Sequence, residues 1–196
     1  MKSIPRRAAI FALVGILAGC ATNSFSTNAT HGPSIRGSKV YAYSFLDLRD
    51  GDLGPTMVAQ LHLQLTQSLA SADVSLKVIR LKDSEAGRSF AFAHSGSSIE
   101  SSFAIRRTIE SNLLEERTHG TDYRLIIFPS SIELSDRWKR YTINWDLIDV
   151  KTGRRVWNSS SVGRHWTMLS IDEDPEVRAK IIVDGAIAEF KRSGLI

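Results

Sequence analysis

Three groups of residues have types and spacing that could do chemistry. Asp47, Asp50 and Asp52 crowd one short stretch, and hard oxygen ligands of this kind suit a divalent cation such as calcium. Their spacing departs from the Asp-x-Asp-x-Asp-Gly loop, and no Glu follows at the distance that would complete the shell. A solvated strand-to-helix turn is therefore expected there, with no metal site. His94 and the serines around it, Ser95, Ser97, Ser98, Ser101 and Ser102, have the residue types of a nucleophile and its base. The Gly-x-Ser-x-Gly elbow that exposes such a serine is missing, so no catalytic residue is assigned. The five histidines, at 31, 62, 94, 119 and 165, form no His-x-x-x-His pair for zinc. The third group is aromatic and basic: Arg137, Trp138, Lys139, Arg140, Arg154, Arg155, Trp157, Arg164, His165 and Trp166. Trp and Arg are the types enriched at interface anchors, and they also suit stacking on sugars. The same types serve equally in a core, with tryptophans inside and arginine stems lying over them. If the two segments pair as a hairpin, Trp138, Arg140, Arg164 and Trp166 meet at its distal end, which makes these four the candidate partner-binding residues.

The start of the chain is chemically distinct. Lys2, Arg6 and Arg7 precede an unbroken small and apolar run from Ala8 to Gly19. At a helical rise that run spans roughly 18 Å, short of a bilayer core, as a signal-peptide apolar region is. It ends in Leu17-Ala18-Gly19-Cys20, which resembles the lipobox of bacterial lipoproteins. The resemblance implies cleavage between Gly19 and Cys20, diacylglycerol on the Cys20 thiol and an acyl chain on the new amino group, with no other cofactor. Residues 1–19 are thus expected to be a signal peptide. Ala21 rather than Asp after the cysteine resembles the outer-membrane sorting pattern of enteric lipoproteins, which places the domain on the periplasmic side of that membrane.

Composition narrows the function classes. Cys20 is the single cysteine, so the domain beyond it has no disulfide, no cysteine nucleophile and no thiolate metal site. The sequence pI near 9.4 suggests a basic protein, yet loss of Lys2, Arg6 and Arg7 takes Lys+Arg from 25 to 22 against 21 Asp+Glu. A near-neutral mature chain gives no case for nucleic acid as a partner.

The elements that must position these residues follow from periodicity. Residues 20–38 carry the acylated cysteine and then Ser, Thr, Asn and Gly, and read as a flexible tether with an r.m.s. span of roughly 23 Å. Residues 39–196 form a single globular domain. Val40, Tyr41, Tyr43, Phe45 and Leu46 predict a strand; Pro55 opens a helix whose Met57, Leu61, Leu65 and Leu69 share a face. Val74, Leu76, Val78 and Leu81 predict a short strand near an edge. Ser98 caps a helix with Ile99, Phe103, Ile105, Ile109 and Leu113 as its stripe and Gly120 as its stop. Residues 123–128 are apolar on both faces, as in a central strand. Residues 138–149 alternate strictly, with Tyr141, Ile143, Trp145 and Leu147 on one side. Residues 155–166 return as the partner strand after a turn at 151–154. Asp174 and Pro175 start a last helix, whose apolar face is assigned to Val177, Ile181, Ile182, Ile187 and Phe190. The fold class is α/β (α+β), a mixed sheet with helices in the order β-α-β-α-β-β-β-α.

Two stretches carry a wider likeness. Asp122-Tyr123-Arg124-Leu125-Ile126-Ile127, and Trp145-Asp146-Leu147-Ile148-Asp149-Val150-Lys151-Thr152-Gly153-Arg154-Arg155-Val156-Trp157, resemble a group of envelope lipoproteins. That group takes in the curli-secretion lipoprotein, the lipoprotein activators of penicillin-binding proteins and the amino-terminal domain of the Tol translocation protein. Its pattern is an apolar strand, a strand ending in a Leu-x-Asp-x-x-Thr-Gly turn, and a strand with a tryptophan. Asp149, Thr152 and Gly153 have a sufficient structural role in that turn. The long alternating hairpin insertions of pore-forming members and the long linkers of synthase activators are both missing.

The expected function is a non-enzymatic protein-interaction module, anchored by lipid to the outer membrane and acting in envelope assembly or maintenance through an envelope partner or self-association. Two alternatives stand beside it: a cell-wall hydrolase or small-ligand or glycan-binding lipoprotein, and a homo-oligomeric component of a secretion apparatus.

Overall fold

The computed structural model describes residues 21–27, 32–46, 54–80, 98–134, 138–166 and 174–196. The strands are β1 (Ala21–Thr27), β2 (Lys39–Ser44), β3 (Ser75–Arg80), β4 (Tyr123–Leu134), β5 (Trp138–Asp149) and β6 (Arg155–Trp166). The helices are α1 (Pro55–Ala70), α2 (Ser98–His119) and α3 (Pro175–Arg192). From residue 39 onward the order matches the predicted one, in a single domain with a mixed sheet.

The sheet runs β1-β6-β5-β4-β2-β3. β2 lies parallel to both β3 and β4, while β4, β5, β6 and β1 are successively antiparallel. β3 is at an edge, as its short apolar run suggested, and β4 is central. Ser44 pairs with Ile127, but β4 continues to Leu134 against β5. Among the described residues, the antiparallel pairing thus runs past the last parallel pair by about 20 Å, at the usual rise per residue.

β1 corrects the reading of residues 20–38 as a flexible tether. Ala21 to Thr27 pair with His165 to Ser159. The physical reason is non-local: β6 would otherwise present an open row of backbone donors and acceptors, and the leader segment occupies it. Residues 32–35 are tied down too, since the Gly32 and Ile35 amides donate to the Ser193 and Leu195 carbonyls.

The two faces of the sheet are covered to different extents and by different means, the second chiefly over β2 and β4. α1 and α3 lie on one face over a large apolar cluster that includes Val40, Ala42, Leu125, Ile127, Ile143, Trp145, Leu147 and Trp157. Met57, Leu61, Leu65 and Leu69 of α1 are all buried there. α3 is rotated from expectation: Ala179, Ile182, Val183, Ala186 and Phe190 face inward, and Val177 is exposed. Asp174 caps α3 by accepting from the Glu176 amide, and Gly194 ends it with φ +73°. On the other face, α2 covers a small cluster of Tyr41, Tyr43, Phe45 and Ile126, with Ile105 and Ile109 packed against it. Thr108 and Glu116 of α2 are buried, and Leu114 is exposed.

The turn between β5 and β6 is built as its residue types dictate. The Asp149 carboxylate accepts from the Thr152 amide at 2.8 Å, the Thr152 hydroxyl accepts from the Arg154 amide, and Gly153 takes φ +66°. The amide donation from Thr152 holds the Asp149 carboxyl below its usual range.

Candidate functional site

The distal end of the β5–β6 hairpin assembles the four predicted residues. Trp138 pairs with Trp166, Lys139 with His165 and Arg140 with Arg164 across the antiparallel register. Arg140 is half-buried and Arg164 exposed. The side chains of Trp138, Lys139, His165 and Trp166 lie outside the described residues, as does Arg137. Positions 138, 140, 164 and 166 are in strand phase with Thr142, Asn144, Ser160 and Val162, which are half-exposed. That phase belongs to the sheet face opposite Tyr141, Ile143 and Trp145. The Ser160 hydroxyl donates to the Asn144 side-chain oxygen at 2.9 Å across the two strands.

Other members of the aromatic and basic group go elsewhere. Trp157 is a core residue: it is buried, its ring meets Phe190 edge-on at 5.0 Å, and its Nε1–H donates to the Ser193 hydroxyl. Ser193 in turn donates to Glu189, which Arg192 grips with two hydrogen bonds of 2.9 and 2.6 Å. Arg154 is in the β5–β6 turn, at the opposite end of the hairpin from Trp138. Arg155 lies 3.6 Å from Asp146, whose carboxyl is pushed up by burial against the pull of that guanidinium.

The tip depends on a close approach in the core beneath it. Gly163 pairs directly with Tyr141, and a Cβ at position 163 would collide with the Tyr141 ring. Glycine is what lets that ring lie across the neighbouring strand.

Asp50 and Asp52, with Asp47, lie outside the described residues, as do His31, His94, Ser95 and Ser97. So do Gly19 and Cys20. Ser98, Ser101 and Ser102 belong to the first turns of α2, with their side chains outside the description. The described histidines have structural partners: His62 Nε2 is 2.7 Å from the Ser44 hydroxyl, both buried, and the His119 ring meets Tyr41 at 6.0 Å.

One polar cluster was not foreseen. Glu116 of α2 is buried and accepts from the Tyr43 hydroxyl at 2.7 Å and from Arg124 at 3.0 and 2.7 Å in the two-pronged geometry that guanidinium and carboxylate favour. Burial and the neighbouring Glu116 push the Tyr43 hydroxyl far above its ordinary pKa. Burial, then Glu115, raises Tyr41 to about 12. Hydrophobic periodicity is blind to this set, since its members are polar and sit on three different elements.

No family model matches the chain, and no curated protein matches it. Among solved structures, the fold is similar to the PelC dodecamer from Paraburkholderia phytofirmans, with 13% identity, 89% of this chain and 99% of that chain covered, and a TM-score of 0.51. A single-residue variant of that dodecamer gives 12% identity, 83% and 96% coverage and 0.47. Lipoprotein GNA1162 from Neisseria meningitidis gives 13% identity, 79% and 99% coverage and 0.44. The first of these likenesses establishes a shared fold.

Proposed function

We propose that this protein is a lipid-anchored envelope protein that acts by contact, not by catalysis, through the distal end of the β5–β6 hairpin. In this reading residues 1–19 are removed, Cys20 carries the lipid in the outer membrane, and the domain faces the periplasm. The observation that carries it is the register of the hairpin, which sets Trp138 against Trp166 and Arg140 against Arg164 at its distal end. Trp and Arg are the residue types enriched at the anchors of contact surfaces, and the strand pairing brings these four positions together.

Photo-crosslinking in living cells, with the reactive group at position 164 and a control at the exposed Leu114, tests the surface. Adducts that form at 164, not at 114, and disappear on Trp138→Ala with Arg140→Ala support it. Equal labelling at both positions sinks it. Self-association is the second reading, favoured by the dodecameric assembly of the PelC fold relative and by the two edge strands β1 and β3. Native mass spectrometry of the delipidated domain separates a monomer from a ring.

A further inference from the structure

The sheet topology brings the predicted lipid site and the hairpin tip to one end of the molecule. β1 runs antiparallel to β6, with Ala21 opposite His165, so the chain enters the sheet at the tip. Cys20 is one peptide bond, about 3.8 Å, before Ala21. β5 is the next strand beyond β6, and strands lie about 4.8 Å apart. The attachment point of the lipid is therefore within about 15 Å of the backbone at Trp138, Lys139, Arg140, Arg164, His165 and Trp166. The intervening chain is paired strand with no slack.

We infer that β1 docks the domain end-on, so that the tip of the β5–β6 hairpin lies in the headgroup layer of the membrane that holds the Cys20 lipid. This rests on the lipid-anchor reading and assigns the contact surface its partner: a membrane surface carrying anionic phosphates. Acyl chains on Cys20 leave room for only the headgroup layer between bilayer and tip. The residue types at the tip suit that layer, since tryptophan rings partition to the membrane–water boundary and Lys and Arg reach phosphate with their stems still against apolar surface. A flexible tether would have left the domain's orientation open; a paired strand fixes it.

The test uses the mature lipidated protein in vesicles of phosphatidylcholine with phosphatidylglycerol, half the lipids brominated near the headgroup. Tryptophan emission is expected to be quenched, and Trp138→Phe with Trp166→Phe should abolish the quenching, because Trp145 and Trp157 are enclosed in the domain core. Thr22→Pro with Asn23→Pro, one of which removes a β1 donor to β6 because successive N–H groups alternate in direction, should also relieve quenching while the core circular dichroism stays unchanged. The delipidated domain should bind the same vesicles roughly thirtyfold more weakly on Arg140→Gln with Arg164→Gln, at about a fivefold loss per charge. Intact mass separates the lipid anchor from the docking. A lipidated, folded protein with no quenching overturns the docking and leaves the anchor standing; a Cys20 without lipid removes both. Adducts at position 164 that are entirely protein, with none to lipid, assign the tip to a protein partner and also overturn it.

Discussion

The two faces of the sheet are held by different physics. On the α1/α3 face, a large apolar cluster includes two tryptophans whose ring nitrogens are satisfied by serines, Trp145 by Ser161 and Trp157 by Ser193. On the α2 face, four buried residues, two of them tyrosines, and a few half-buried neighbours share the work with a carboxylate and a guanidinium. Apolar burial is non-directional and tolerates pH, whereas the Glu116 network depends on the position of every member and on the proton of the Tyr43 hydroxyl. The first face is a scaffold for the hairpin and leader strand. The second attaches one helix by a titratable lock.

Mutations should separate the two. The largest loss is expected for Trp157→Ala, about 4 kcal/mol by denaturant unfolding, since it empties a large buried volume and strands the Ser193–Glu189 network. Glu116→Ala should cost about 3 kcal/mol, because it leaves Arg124 without its carboxylate and Tyr43 without its acceptor. Hydrogen exchange would show that cost concentrated in α2; an equal rise in exchange in α1 would erase the distinction between the faces. Gly163→Ala should cost about 2 kcal/mol through overpacking against Tyr141, with the loss confined to the distal hairpin.

pH offers a finer cut. Tyr41 and Tyr43 have folded-state pKa values above that of an unfolded tyrosine, about 10, so above that pH the unfolded chain sheds protons the folded chain retains. Both contributions are complete below about 10; that of Tyr41 is lost as pH rises through about 12, and that of Tyr43, raised further, is lost at higher pH. Alkaline titration should therefore release α2 before the α1/α3 face, read as tyrosinate absorbance preceding the change in tryptophan emission. Glu116→Gln with Tyr43→Phe should remove most of that interval. The smallest effect is expected at the β5–β6 turn. Asp149 has a lowered pKa, so its stabilisation is present at neutral pH and lost as pH falls through the folded-state value; Asp149→Ala should remove that acid dependence with only a minor shift in melting temperature.

What the sequence reveals divides along similar lines. The α1 stripe, the alternation of β5 and the Asp149-Thr152-Gly153 turn are local, and each is set by residues within a few positions of one another. The buried Glu116 and Thr108 of α2 escape a reading that follows apolar periodicity, and small alanines rather than Val177 make the inner face of α3. β1 escapes for a stronger reason: Ala-Thr-Asn-Ser-Phe-Ser-Thr has the composition of a linker, and its strand conformation comes from the open edge of β6, far along the chain. The candidate site was legible as a pairing of Trp138 and Arg140 with Arg164 and Trp166, because hairpin register follows from two facing strands and one turn. That the leader delivers Cys20 to the same end was not, because it depends on a strand the composition conceals.

Intact-mass measurement on the protein extracted from membranes tests the anchor that the proposed function starts from. The predicted species begins at Cys20 and carries a diacylglycerol and an N-linked acyl chain. A chain that retains residues 1–19, or that is cleaved elsewhere with the Cys20 thiol free, would contradict it.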